Sequence, residues 1–459
     1  MKAILVLFVL INAYSINRVI ALEPSLSVAS KKPNNIIMVI GDGMGPAYTT
    51  AFRYFNDDPN TIEVEETVFD RHLIGLSSTS PATVSGYVTD SAAGATALAS
   101  GIKTYNGAIG VDLSKQPVNT VLAFAKRAGK KTGVVVTSHV NHATPASFLT
   151  HNEDRNNYNS IADSFFDNNT SATPQFDLLF GGGWKYFLRP DRNLVEDFQK
   201  AGFQYVDAYK QLQRLKIGTP ALGLFADVGL PWALDDSEPF RLSMMTQAAI
   251  EQLENESGFF MLIEASQIDW AGHANDIAAA MGEMRDLAKT LEYLEVYVQK
   301  HPDTLVVVTA DHSTGGLTLG ANGKYEWQPE ILRTIRHTPA YIAKSINRSE
   351  LSIEQTNDLL GFALTTEEFA ALLEIEKTFQ RDPSDSEEFE DAEQSVKRES
   401  AYYSYLNAII NKKTNTGWTT GAHTAIDVPV LAFGAQHELF IGHNDNTDIA
   451  KKVFTLIEK

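Results

Sequence analysis

Residues 35–45 read Asn35-Ile36-Ile37-Met38-Val39-Ile40-Gly41-Asp42-Gly43-Met44-Gly45, and this stretch decides the fold. After Asn35 the run is apolar without alternation, as in a strand covered on both faces. It ends in a glycine-rich turn. In α/β enzymes ligands bind just outside the carboxyl ends of parallel strands, where such turns lie. The glycine spacing matches neither the dinucleotide fingerprint nor the P-loop. Asp42, flanked by glycines that let other groups come close, therefore reads as a metal ligand; an ordinary turn aspartate is the alternative.

The same pattern recurs along the chain. Buried-type runs at residues 131–137 (KTGVVVT), 258–263 (GFFMLI), 304–309 (TLVVVT) and 428–433 (VPVLAF) read as strands. Amphipathic segments at 118–127, 241–253 and 282–300 read as helices between them. The expected architecture is α/β, with a central, largely parallel sheet flanked by helices. Residues 176–240 read as loops and short helices, with Gly181-Gly182-Gly183 as a sharp turn, and show no chemistry.

Length and charge narrow the classes. With 459 residues the chain can bury a large core. Its net charge of -19 argues against nucleic acid or an anionic membrane as partner. An anionic substrate would need a locally positive site, made by metal ions or a placed arginine. There is no cysteine, so any metal must be held by His, Asp, Glu and hydroxyl groups. Met1-Lys2 followed by the apolar run 4–11 reads as a secretory signal ending near Ala21, too short to span a bilayer. The mature protein, residues 22–459, is expected to be a single catalytic domain, exported to periplasm or medium and without a membrane anchor.

Polar residues stand wherever a strand ends. Ser91 lies in Val88-Thr89-Asp90-Ser91-Ala92-Ala93-Gly94-Ala95-Thr96-Ala97, where small side chains suit a tightly packed helix and place Ser91 in its first turn. Free N–H groups and the helix dipole favour an anion there. Thr144 follows the strand at 131–137, and Arg155 follows in a polar stretch from which its guanidinium could turn back onto a phosphate. Glu264, Asp269 and His273 follow the strand at 258–263; Asp269 and His273, four residues apart, share one helix face. Asp311 and His312 follow residues 304–309, and His423 precedes the last strand. Ligand chemistry sorts these residues into three sets. Asp269, His273 and His423 suit zinc, as do Asp42, Asp311 and His312, the latter close enough to ionise Ser91. Thr144 and Glu264, sharing Asp42, make an all-oxygen set suited to magnesium.

From about Asn35 to the C-terminus the chain resembles alkaline phosphatase. The resemblance rests on Gly41-Asp42-Gly43, Thr89-Asp90-Ser91-Ala92, Ala143-Thr144-Pro145-Ala146, Glu264 with Gln267-Ile268-Asp269 and His273, Asp311-His312-Ser313-Thr314-Gly315-Gly316, and Gly421-Ala422-His423. It implies Ser91 as the nucleophile that becomes phosphoserine and Arg155 as the clamp on the phosphate oxygens. It also implies two zinc ions and one magnesium ion in the three sets above, a homodimer, and broad action on phosphate monoesters at alkaline pH. His142 stands where other members carry aspartate near the magnesium, and Trp270 where others carry lysine or histidine. Both are expected to neighbour the metals rather than hold them.

Residues 325–418 change character: between 367 and 393 eleven acidic residues face two basic ones. They read as a helical insertion (365–380 and 388–411) forming a solvated cap or an arm to a second subunit. The nearest rival function is a phosphodiesterase or phosphonate hydrolase with similar metals. A non-catalytic exported binder of metal or phosphate is the rival from another class.

Overall fold

The computed structural model describes residues 32–168, 175–348, 352–379 and 392–458. The expected secretory signal lies outside the described residues. Ten strands form one sheet: β1 (Asn35–Gly41), β2 (Leu73–Ser78), β3 (Lys131–His139), β4 (Leu178–Gly182), β5 (Gln204–Val206), β6 (Ala221–Leu224), β7 (Phe259–Ala265), β8 (Thr304–Thr309), β9 (Val428–Gly434) and β10 (Gly442–Asp445). Their order is β10-β2-β9-β8-β1-β7-β3-β4-β6-β5. All neighbours are parallel except β9, which runs antiparallel to β2 and β8. The largely parallel α/β sheet expected from the sequence is present.

Alternation along the central strands divides the core in two. Ile37, Val39, Met261, Ile263, Val306 and Val308 face one cluster, and Ile36, Met38, Ile40, Phe260, Leu262, Leu305 and Val307 face the other. Apolar residues in succession along each strand are therefore needed on both sides. The helices that matter for the site are α1 (Ser91–Ser100), α2 (Val121–Arg127), α3 (Ala143–Leu149), α4 (Arg241–Leu253), α5 (Gln267–His273), α6 (Ile277–Lys300), α7 (Pro339–Arg348), α8 (Thr366–Phe379), α9 (Ala392–Thr414) and α10 (Asn446–Ile457). Residues of α1, α2, α3 and α10 join one cluster, and those of α4, α5, α6, α7 and α9 the other.

Residues 176–240 contain the strands β4, β5 and β6. Gly181 and Gly182 belong to β4, where a Cβ on Gly182 would lie 1.8 Å from the Val228 carbonyl oxygen. These glycines permit close approach inside a strand rather than a reversal. The strand at 428–433 is not the last, because β10 follows it, and β2 forms where the sequence pattern predicts no strand. β2 (LIGLSS) ends in two serines and β10 (GHND) has no apolar side chain, so neither carries a strong apolar signal. The helix expected at 118–127 begins only at Val121, where the Thr120 hydroxyl caps Ala123 N–H.

Residues 325–418 are uneven. In α8 only Leu372 is buried. In α9, by contrast, Tyr402, Leu406, Ile409 and Ile410 are buried in the core cluster at helical spacing.

Asp276, N-cap of α6, is buried and accepts the Ala279 N–H at 2.9 Å. Burial pushes its carboxyl up to about 7. Between its unfolded value of about 4 and about 7, the folded chain holds a proton that the unfolded chain releases, so this group's stabilising share is lost as pH rises through that window. Asp276→Asn keeps an acceptor for the cap and removes the titration. The variant is expected to gain stability relative to wild type on going from pH 4.5 to pH 8, read from denaturant midpoints at the two pH values.

Candidate metal centre

The four adjacent strands β8, β1, β7 and β3 end at one edge of the sheet. Asp42 follows β1, Asp311 and His312 follow β8, Glu264 closes β7 just ahead of α5, and His142 and Thr144 follow β3 at the start of α3. Because β9 is antiparallel, its beginning lies at that same edge. Residues 423–424 pair there with 313–314, which sets His423 opposite Thr314. Gly43 has φ +74°, and a Cβ on it would sit 2.7 Å from Asp269 Cα, so the turn after β1 needs glycine to approach α5. Ser91 is the first residue of α1, with Asp90 as N-cap accepting Ala93 N–H at 3.0 Å. Gly94 lets α1 close on the Asp311 backbone, whose oxygen would lie 3.0 Å from an added Cβ.

At the first cluster Ser91 Oγ lies 3.2 Å from His312 Nε2. That nitrogen lies 3.3 Å from Asp42 Oδ1 and 3.2 Å from Asp311 Oδ2. Thr314 Oγ1 donates its single proton to Asp269 Oδ1 at 2.5 Å, so it accepts from His312 Nδ1 at 3.2 Å. Nδ1 is thus the protonated nitrogen, and Nε2 turns a lone pair toward two carboxylates. Asp311 Oδ1 accepts the backbone N–H groups of His312 (3.1 Å) and Gly43 (3.3 Å), which fixes Oδ2 toward the same point. All four residues are buried.

The second cluster repeats this logic. His273 Nδ1 and His423 Nδ1 donate to the carbonyls of Gly421 and Thr89, each at 2.8 Å. Their Nε2 atoms face each other across 3.1 Å, with Asp269 Oδ2 3.4 Å from one and Oδ1 3.6 Å from the other. With both rings neutral these lone pairs repel, so the pocket calls for a positive charge. The Asp269 carboxylate, as a hydrogen-bond acceptor for this ring, accordingly pushes the His273 imidazole up to about 9. The third cluster joins Asp42, Glu264 and His142, whose donor atoms lie within 4.8 Å of one another. Thr144 is buried against Glu264. His142, expected only to neighbour the metals, thus stands among the donors; Trp270 packs beside it, ring centres 6.0 Å apart.

The donor chemistry fits divalent cations. Among the described residues, six of the ten buried side-chain N and O atoms without a hydrogen-bond partner are Asp42 Oδ1 and Oδ2, Asp311 Oδ2, Glu264 Oε1, Thr144 Oγ1 and His142 Nδ1. Buried polar atoms are rarely left unpaired. Burial, reinforced by neighbouring carboxylates, drives Asp42 and Asp311 well above the usual carboxylate range, and burial takes Glu264 to about 7. Cations reverse that effect.

Arg155 reaches the site from the side. Its guanidinium donates to Asp90 Oδ2 at 3.1 Å, and its second terminal nitrogen lies 3.2 Å from His142 Nε2. Sequence reasoning missed two supports. Asp90, beyond capping α1, also holds Arg155 and the Gly107 N–H (2.9 Å). Arg241 is fully buried and bonds Glu283 (2.9 Å), Asp286 (2.8 Å) and Gln267 Oε1 (2.7 Å), fixing the start of α5. Nothing in the local sequence distinguishes Arg241 from an exposed helix-start arginine.

The chain is similar to known proteins. The family model described as alkaline phosphatase matches residues 33–458. The chain is 44% identical to alkaline phosphatase 3 of Bacillus subtilis, across 95% of this chain and 92% of that protein. It is also similar to the crystal structure of a cold-active alkaline phosphatase from the psychrophile Shewanella sp., with TM-score 0.84 and 46% identity, covering 93% of this chain and all of that one. A variant of the alkaline phosphatase of the Antarctic bacterium TAB5, with a histidine replaced by aspartate and Mg bound in the M3 site, matches with TM-score 0.65 and 27% identity, covering 93% of this chain and 99% of that one.

If cations relieve the buried charges, a chelator should destabilise the protein strongly. At free zinc 1,000 times Kd, binding contributes about 4 kcal/mol per site. The expected outcome is a large fall in thermal midpoint with chelator, recovered on adding zinc; an unchanged midpoint would contradict the assignment.

Proposed function

The chain belongs to the alkaline phosphatase family and performs metal-dependent hydrolysis of phosphate monoesters, and from that premise we propose that the reaction runs through a phosphoserine at Ser91. The observation that carries this reading is the buried 3.2 Å contact between Ser91 Oγ and the lone-pair nitrogen of His312, beside Asp42 and Asp311. Asp269, His273 and His423 would hold one zinc ion, and Asp42, Asp311 and His312 the other. Magnesium would take Asp42, Glu264, Thr144 and His142, three oxygen donors and one imidazole. Bound there, such ions lower the pKa of a hydroxyl and stabilise developing negative charge on attacking and leaving oxygens.

The chain's own groups do the rest. Ser91 Oγ gives up its proton to solvent and attacks phosphorus; the bond to Ser91 forms as the bond to the substrate's oxygen breaks, and that oxygen takes up a proton and leaves as the alcohol. Water then cleaves the phosphoserine, returning the serine and releasing inorganic phosphate. The N-terminus of α1 turns free N–H groups and a positive dipole toward the transferred phosphoryl group. Arg155, held by Asp90, can offer two parallel donors to two phosphate oxygens, which a lysine cannot. A monoester keeps three terminal oxygens where a diester keeps two, so with two held by Arg155 only the monoester leaves a third for the cation site, which favours it. Asp90 thus fixes the serine's helix and the clamp with one carboxylate.

The same reading includes export, with cleavage after Ala21, and a homodimer. Among the described residues no helix is long and apolar enough to cross a membrane.

Acid quench of wild type with labelled monoester is expected to trap phosphate on Ser91, whereas Ser91→Ala traps none. Arg155→Ala is expected to lose on the order of 10²–10³ in kcat on monoesters. Faster turnover of diesters than monoesters by wild type would favour the diesterase instead.

A further inference from the structure

The helix α9 lies in the segment read from the sequence as a solvated cap or arm. Its buried face packs with α7, where Ile342 and Ala343 are also buried. A second row, Tyr403, Asn407 and Asn411, is spaced four residues apart and turns elsewhere. The Tyr403 hydroxyl donates to the Ala274 carbonyl at 3.4 Å, and Asn407 Nδ2 donates to the same oxygen at 2.9 Å. Asn411 Nδ2 donates to the Asn275 carbonyl at 2.9 Å. These two carbonyls directly follow α5, the seven-residue helix that delivers Asp269 and His273. A helix end leaves such carbonyls unsatisfied, and here another helix supplies their donors.

The contact continues to the other ligand. Asn275 ends the helix in the left-handed region (φ 53°), and its side-chain amide donates to the carbonyls of Gly272 (2.8 Å) and Thr420 (2.9 Å). Thr420 adjoins Gly421, whose carbonyl orients His273 through Nδ1 at 2.8 Å, two residues before His423. Asn411 Oδ1 meanwhile accepts Trp418 Nε1 at 3.0 Å and so holds the start of that loop. His273 has the most exposed side chain of the donor set, at 42%, so solvent and packing alone fix it least.

We propose that Asn411 and Asn407 of α9 are positioning residues for the cation held by Asp269, His273 and His423, acting through Asn275 and Ala274 respectively. This rests on the metal reading given under Proposed function. The inserted segment thereby gains a task inside its own chain: it clamps the end of α5 and the 418–423 loop together, so that two imidazoles and a carboxylate meet at one point.

The test measures zinc transfer from the fully loaded protein to a chromogenic chelator, with metal content counted before and after. Asn411→Asp keeps the shape and the acceptor for Trp418 and removes the donor to Asn275. Asn275→Gly keeps the left-handed turn, removes the bridge to Thr420 and leaves α9 untouched, so it carries the test should the first variant not fold. Outer-shell partners of metal ligands typically affect affinity by about 10–100-fold. Each variant is therefore expected to release one zinc about 10–100-fold faster while the remaining ions leave at wild-type rates, with turnover restored by excess zinc. Ser404→Ala, on the exposed side of α9, is expected to release zinc as wild type does. Release at wild-type rates from both variants, or uniform acceleration of every ion, would overturn the proposal. A wild-type chain that takes up no divalent ion would instead overturn the functional reading beneath it.

Discussion

Like charges held together out of water are the constraint around which this molecule is arranged. Asp42, Asp311, Glu264 and Asp269 are buried at one edge of the sheet, with imidazole lone pairs aimed into the same space. An isolated buried carboxylate is costly, and several together more so. Backbone N–H groups hold one oxygen of Asp311, and hydrogen bonds fix the tautomers of His312, His273 and His423. None of these interactions neutralises the charge. They orient the donors toward points that divalent cations would fit, and the rest of the fold supplies the rigidity needed to keep them there.

That rigidity comes from several layers. The sheet fixes four strand ends side by side, and hydrophobic packing on both faces leaves little freedom for them to separate. The helix α5 is anchored at its start by Gln267, itself held by the buried Arg241 with its two carboxylates. Its far end is met by the amides of Asn407 and Asn411. Neither anchor touches the proposed reaction. Each converts distant packing into the placement of Asp269 and His273.

The serine sits where two requirements coincide. Its helix must start at the edge where the donors converge, and it must approach the Asp311 turn closely. The small residues of α1 permit the second, since every residue of that helix is buried. Asp90 links the helix start to Arg155, so the group proposed to attack and the group proposed to hold the phosphate share one support. That coupling explains why an acidic residue next to an anion site is tolerated: it is already paired.

The sequence by itself determined the parallel α/β core and the residues at its strand ends. Continuous apolar runs ending in glycine, aspartate and histidine leave few other structures, because burial on both faces and ligand binding at strand ends are local consequences of composition. It did not disclose β4, β5 or β6, whose short runs and glycines resemble turns until a neighbouring strand shows what approaches them. Nor did it place His142 among the donors, reveal Arg241 as buried, or show α9 reaching the end of α5. Those depend on contacts between residues far apart in the chain, such as Asn411 with Asn275 or Arg241 with Glu283. No periodicity encodes such pairings. Only the packed chain decides them, since a hydrogen bond between distant segments exists only once the intervening structure has brought its donor and acceptor within about 3 Å.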